Sequence, residues 1–447
     1  MVTGNGEDDQ ATLEKRTMRK LTRRLVPYLI AAYFIAYIDR TNLSFAALQM
    51  NPAIGLSATA FGFGAGVFFL TYFVFEVPSN LVMAKVGARR WIARIMVTWG
   101  IVSGCMALVS GEISFYVVRA LLGVAEAGFF PGVLFYLTLW FPAAYRSRIV
   151  SLFMVSVPLS VVIGAPISGL VLKIDLWGLA GWQWLFVIEA LPAVVLGVVT
   201  WFFLTDRPGD ARWLADDERT WLTSTLEREA AQATEGREVH WLRALANRKI
   251  LALVVVDIAI CAINTGIGIF LPQIIQGFGV GSTLVVTLLT ALPYLVAAVG
   301  MVWWGRRSDR KGERRMHTAI PLGLSTLGIV ALVFLPDSTS KMVGITAIML
   351  GLYSMQPVFW TLPAMFLSGT AVASAFAGIN SVGNLAGFVG PFAVGWLKDS
   401  TGSYNPGLLL IAACGVLGVL AVLIVARGRA ASTLVAGSER EPTMPVT

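Results

Sequence analysis

The chain has 447 residues, 56% hydrophobic and only 13% charged, with a mean hydropathy of +0.74 and a formal net charge of +8. Average soluble domains run about 45–50% apolar and about 25% charged, so an ordinary soluble, disordered or fibrous protein is excluded. A membrane-spanning helix takes roughly 20 apolar residues, and the apolar content suffices for about a dozen of them; the ~10-residue alternating segments of a membrane β-barrel are absent.

The composition predicts an all-α polytopic membrane protein. In chain order, a polar, basic tail over 1–26 has no apolar core followed by a small-residue cleavage site, so it is not a cleaved signal peptide. Hydropathy then places twelve transmembrane helices near 27–48, 60–83, 91–110, 114–138, 148–172, 183–204, 249–276, 284–304, 317–335, 342–364, 371–397 and 406–426. These divide into a six-helix half over 27–204, a central loop over 205–248, a second six-helix half over 249–426 and a tail over 427–447. In the central loop, Trp213, Leu214, Trp221, Leu222 and Leu226 recur at helical spacing among Asp216, Asp217, Glu218, Arg219, Glu227 and Arg228. That pattern predicts an amphipathic helix lying at the cytoplasmic surface.

Charge sets the orientation. With the N-terminus inside, 29 of the 34 Lys and Arg fall in inside segments, and the outside loops hold Lys173, Lys341 and Lys398 alone. Basic loops mark the cytoplasmic side, so both termini are expected in the cytoplasm. The net positive charge is thereby explained by topology and by contact with anionic lipid heads, and nucleic acid is not needed as a partner. Cys105, Cys261 and Cys414 lie in apolar runs without CxxC spacing, and His240 and His317 form no metal motif. No metal site, disulfide framework, cofactor or catalytic set is expected, and the chain is expected to act as a monomer.

An internal repeat runs through the chain. The basic loops around Gly87 and Gly312 are 225 residues apart, and the same offset pairs Phe141 with Phe366, Ser156 with Ser381, Pro166 with Pro391 and Lys173 with Lys398. Two copies of a six-helix unit point to an alternating-access transporter with its substrate site between the halves near the midplane.

The residues then become recognisable. Gly305 to Arg315 follows the pattern G-x-x-x-D-R-x-G-x-R-R, and the chain resembles the major facilitator superfamily over all twelve spans. The first-half copy of that loop is degenerate, with Asn80 and Ala84 where the pattern has Gly and Asp. The stretches Tyr37-Ile38-Asp39-Arg40-Thr41-Asn42, Glu76-Val77-Pro78-Ser79-Asn80-Leu81, Arg119 through Gly132, Gly164 through Gly169 and Leu271-Pro272-Gln273-Ile274-Ile275 resemble the anion:cation symporter branch, particularly its tartrate- and phthalate-type permeases. The resemblance implies uptake of an organic anion with a cation, usually a proton, across a bacterial inner membrane.

Ionisable residues inside spans carry the candidate chemistry, since each costs roughly 2.5–3.5 kcal/mol to insert. They are Asp39, Arg40, Glu76, Arg119, Glu126, Glu189 and Asp257. Tyr33, Tyr37 and Arg40 form one stripe of span 1, and guanidinium binds carboxylate bidentately. Arg119 and Glu126 are seven residues apart on nearly one face of span 4, too far along the axis to pair, so each must meet span 1 or a cavity. Arg40 and Arg119 are therefore read as the anion-binding residues, and Asp39 and Glu126 as the proton-handling ones. Tyr37, Tyr72, Asn264, Gln356, Asn380 and Asn384 are read as further substrate contacts; Asn380 and Asn384 share a face, and they fit helix–helix hydrogen bonding as well. Glu76 is read as a cavity or an interhelical residue, and Glu189 and Asp257 as structural. The expected function is a secondary transporter that imports an organic carboxylate with protons by alternating access. An exchanger or uniporter without proton coupling, and a nutrient sensor on the same fold, stay open alternatives; an enzyme does not.

Overall fold

The computed structural model describes residues 4–234, 248–365 and 370–425. The described chain is almost wholly helical, as a chain in hydrocarbon must be when it cannot close a barrel. The helices are α1 (Gly4–Ile54), α2 (Ala58–Val86), α3 (Ala88–Gly104), α4 (Glu112–Glu126), α5 (Phe129–Trp140), α6 (Ala143–Val171), α7 (Gly181–Phe203), α8 (Asp216–Thr234), α9 (Arg248–Cys261), α10 (Leu271–Gln276), α11 (Thr283–Lys311), α12 (Arg315–Phe334), α13 (Ser338–Phe359), α14 (Thr370–Thr401) and α15 (Asn405–Val425). Among the described residues, eleven helical segments are long and apolar enough to cross a membrane. α14 is long enough at 32 residues, and its apolar content is diluted by Asn380, Asn384 and several glycines. With it, the described residues hold twelve segments long enough to span, as many as hydropathy predicts.

The repeat is visible in the helix bounds. The offset of 225 residues that relates Gly87 to Gly312 also separates Ala58 from Thr283 and Val86 from Lys311, the two ends of α2 and α11. Gly87 and Gly312 both terminate their helices at positive φ, +100° and +62°.

Two spans are broken where hydropathy predicts continuous helices. Span 4 stops at Glu126 and resumes as α5 at Phe129. Span 7 passes from α9 through a π-helical segment, Ala262–Ile267, into α10. Both breaks free backbone groups inside the membrane, and such breaks are tolerated where they line a cavity or are buried in protein.

One face of the molecule carries the basic loops. There α8 and the segment before it pack against the first half: Leu214 and Leu222 are buried, and Trp213 stacks on Trp140 at 5.5 Å between centroids. The helix expected in the central loop is present, and part of its apolar stripe meets protein. The buried Glu218 accepts from Lys20 Nζ at 2.8 Å and from Arg16 Nε at 2.9 Å, and Asp217 pairs with Arg16. Burial works against the ionised Glu218, but the hydrogen bonds from Lys20 and the Ala215 amide, with the charges of Lys20 and Arg16, outweigh it and hold its carboxyl below the usual glutamate range.

On the opposite face the halves meet closely. Asp399 at the end of α14 caps the first turn of α2, accepting from Ala58 N at 3.2 Å and Thr59 N at 2.7 Å. A Cβ at Gly395 would lie 2.1 Å from Ala58 O, and one at Gly62 would lie 2.3 Å from Pro391 O, so α2 and α14 touch backbone to backbone there. Toward the basic face, α11 and Leu159 of α6 border a cleft of about 740 Å³ walled by Leu295, Val299, Val302 and Trp303 and ending at Arg306, Arg307, Arg310 and Lys311.

The Glu218 contacts predict that Glu218→Gln loosens α8 by about 1–2 kcal/mol, reduced because Lys20 and Arg16 are half exposed. A carboxyl held below its unfolded value stabilises the fold above that value and loses the contribution as pH falls through the folded one. Hydrogen exchange over residues 216–234 should therefore accelerate in the variant at neutral pH, and in the wild type only in acid.

Candidate functional site

The site begins at the break after Glu126. Ala127 is extended and Gly128 adopts φ +86°, which bends the chain away from the helix path. Ser79 on α2 donates to the freed Ala127 carbonyl at 2.7 Å and accepts from Trp91 Nε1 at 2.9 Å. A Cβ at Gly128 would lie 2.4 Å from Ser79 Oγ, so both the backbone angle and the space demand glycine. This arrangement fixes Glu126 at the very end of α4, facing α1.

Arg40 meets it there. Arg40 donates from Nε to Glu126 Oε1 at 2.7 Å, and its Nη2 lies 2.7 Å from the same oxygen in the ion pair. The other carboxylate oxygen, Oε2, is buried and has no hydrogen-bond partner. The guanidinium also lies 5.5 Å from the ring centroids of Tyr37 and Phe68 and 5.4 Å from that of Tyr72, each within reach of a cation–π attraction. Tyr33 packs edge-on to Tyr37 at 4.9 Å, so the predicted stripe of span 1 exists.

Arg119 is buried and makes no ion pair within 4 Å among the described residues. It donates to the carbonyls of Gly64 and Ala65, each at 3.3 Å, and lies 4.8 Å over the Phe68 ring. Its guanidinium and that of Arg40 line one cavity of about 100 Å³ at the junction of the halves. Tyr37, Arg40, Thr41, Ser44, Phe68, Phe69 and Arg119 form the first-half wall, and Asn264, Thr265, Thr290, Tyr294 and Tyr353 the second. Asn264 belongs to the π-helical segment and accepts from Tyr353 Oη at 3.3 Å. Thr41, Thr265 and Thr290 each donate to a carbonyl of their own helix, which leaves their oxygens free to accept.

Four of the sequence-derived residues thus line the cavity together: Tyr37, Arg40, Arg119 and Asn264. Glu126 and Tyr72 stand directly behind Arg40. Asp39 points the other way, into the first half, where it is buried and accepts from Trp99 Nε1 at 2.8 Å, from Asn42 Nδ2 at 3.3 Å and from Ser103 Oγ. Gln356, Asn380 and Asn384 are partly buried and are not among the residues that line this cavity. Glu76 is partly buried and forms no ion pair among the described residues. Glu189 is buried, accepting from Ser168 Oγ at 2.9 Å on one oxygen only. Sequence reasoning missed Thr265, Thr290, Tyr294 and Tyr353, since hydroxyl groups in apolar helices give no charge signal. It also missed Trp99 and Ser103, whose spacing of four residues on α3 was the available clue.

Comparison with known proteins decides the family. Residues 29–391 match the Major Facilitator Superfamily. The chain belongs to that superfamily. It is 50% identical over 420 residues to an Agrobacterium vitis protein named "Putative tartrate transporter", covering 93% of this chain and 92% of that one. It is 40% identical over 413 residues to the quinolone resistance transporter of Acinetobacter baumannii, covering 92% and 95%. Among solved structures, the D-xylose-proton symporter superposes with a TM-score of 0.73 at 15% identity, over 90% of this chain and 97% of that one. The protein is a multi-pass membrane transporter with a small-molecule substrate, and not an enzyme.

The break after Glu126 yields a prediction. Gly128→Ala forces a side chain into both the positive-φ strain and Ser79, and should cost about 1–3 kcal/mol. It should lower the unfolding temperature of the purified protein, whereas Gly209→Ala, with open space around its Cα, should not.

Proposed function

We propose that this transporter imports an organic carboxylate together with protons, and that a hydroxy acid of the tartrate type is its substrate. The single observation that carries the reading is Arg119, a buried guanidinium on the wall of a cavity between the halves with carbonyls but no ion-paired acid at its donors. A second guanidinium shares the cavity, and a carboxylate is the ligand that such paired donors suit. The hydroxyl and amide wall supports a hydroxylated substrate over a purely aromatic one. The relative named for tartrate supports the same choice.

Coupling follows from the Arg40–Glu126 pair. A substrate carboxylate competes with Glu126 for Arg40. As Arg40 turns to the substrate, Glu126 loses its counter-charge, and a proton on the unpartnered Oε2 replaces it. Anion and proton then bind cooperatively, because each removes the electrostatic cost of the other. Asp39, held behind α1 by Trp99, Asn42 and Ser103, is proposed as a second proton-handling residue, linked to the cavity through the charge of Arg119. Tyr72 steadies Arg40, and Gln356, Asn380 and Asn384 are proposed to reach the substrate as the second half moves.

The orientation is proposed from the basic loops: the face with α8 is cytoplasmic, both termini lie on that side, and the membrane is the bacterial inner membrane. The face closed by Asp399 is then the outer one, and this conformation faces inward.

In proteoliposomes with an imposed pH gradient, labelled tartrate should accumulate. Arg119→Ala should weaken its binding about 10- to 100-fold, the 1.5–3 kcal/mol of a charge-assisted hydrogen bond. Glu126→Gln should abolish gradient-driven accumulation and keep counterflow. Accumulation that survives Glu126→Gln would overturn the coupling, and binding unchanged in Arg119→Ala would overturn the anion site.

A further inference from the structure

The second half holds one carboxyl deep in the membrane that the mechanism above does not use. Asp257, on α9, is only 3% exposed. It accepts no hydrogen bond and faces no cation among the described residues. Its carboxyl is aimed at α14, where Gly383 makes room for it: a Cβ there would lie 1.9 Å from Asp257 Oδ2 and 2.7 Å from Cγ. The adjacent face of α9 packs on α15, with Ala259 Cβ 2.9 Å from where a Gly418 side chain would begin.

The surroundings offer no compensation. On α9 the neighbouring titratable group is the Cys261 thiol, one turn away. The segment of α14 opposite carries Asn380, Gly383, Asn384 and Gly387, and the charges of α14, Lys398 and Asp399, lie at its far end. α15 has no Asp, Glu, Lys or Arg at all. An ionised carboxylate without hydrogen bonds or a counter-ion in a low-dielectric interior costs several kcal/mol. The neutral acid does not bear that cost.

We propose that Asp257 is a proton-binding site of the second half, occupied by a proton in this conformation and emptied when α9 and α14 separate. The location gives the site a path to the transport cycle. One turn beyond Gly383 on the same stripe of α14, Gly387 touches the Phe69 ring, its missing Cβ 2.9 Å from Phe69 Cγ, and Phe69 lines the central cavity. The stripe therefore lies between the Asp257 carboxyl and the substrate cavity, and a shift of α14 against α2 changes what covers Asp257. As a contribution to coupling, this inference rests on the proton-driven reading above; the occupancy of Asp257 does not.

Infrared spectroscopy of the purified full chain tests occupancy without any transported substrate. The difference between wild type and Asp257→Asn at neutral pH should contain the C=O stretch of a protonated carboxyl; a carboxylate pair of bands in its place would overturn the proposal. Should the variant fail to fold, carbodiimide labelling of the wild type serves, because the reagent couples to protonated carboxyls in apolar sites. An adduct on the peptide containing Asp257 is expected, and its absence while Glu126 or Glu189 is labelled would overturn the proposal. In transport assays Asp257→Asn should keep counterflow and lower gradient-driven accumulation; equal accumulation would remove Asp257 from coupling while leaving its occupancy to the spectroscopy.

Discussion

Arg40 and Glu126 form an ion pair inside the membrane, with the donated hydrogen bond and the second guanidinium contact both falling on one carboxylate oxygen. Two charges withdrawn from water repay their desolvation only when geometry and further hydrogen bonds are favourable. Here the account is left open on one side, since Glu126 Oε2 has no donor. The pair holds α1 against the end of α4, and the neighbouring features serve it: the break at Ala127–Gly128 brings Glu126 into position, Ser79 satisfies the carbonyl that the break exposes, and Tyr37, Phe68 and Tyr72 surround the guanidinium. A pair that is stable yet incompletely satisfied is one that a third charged group can reopen, which is what coupling an anion to a proton requires.

The two halves divide the work. The first supplies the charges at the cavity, Arg40 and Arg119, and the second supplies an amide and hydroxyls from a π-helical segment and two apolar helices. Backbone contact between α2 and α14 closes one face, and the cleft along α11 lies toward the other. A rocking motion about the fixed central site would exchange these two states. α2, one of the helices that close the first face, also lines the cavity with Phe69, whose ring packs on Gly387 of α14.

Most of the fold was legible in the sequence because hydrocarbon imposes a strict code of length and apolarity, and because the 225-residue offset survives in the helix ends. The charged part of the site was legible for a related reason: an arginine such as Arg119 in an apolar run has a cost that must be answered. What escaped was local and neutral. Tyr294, Tyr353 and Thr290 look like ordinary members of apolar helices. The break after Glu126 was marked only by Gly128 and Pro131, and the π-helical turn at Asn264 left no mark. The docking of α8 on the first half involves Arg16 and Lys20, some 200 residues away.

In the proposed cycle, anion and proton enter together. It is tested most directly with the protein in sealed liposomes holding a pH-sensitive dye, with no gradient imposed, to which tartrate and other carboxylates are added in turn. Acidification of the lumen above that of protein-free vesicles is expected on adding a hydroxy acid that the protein carries. Counterflow of the same acid with no change of lumenal pH would contradict it and identify an exchanger or uniporter.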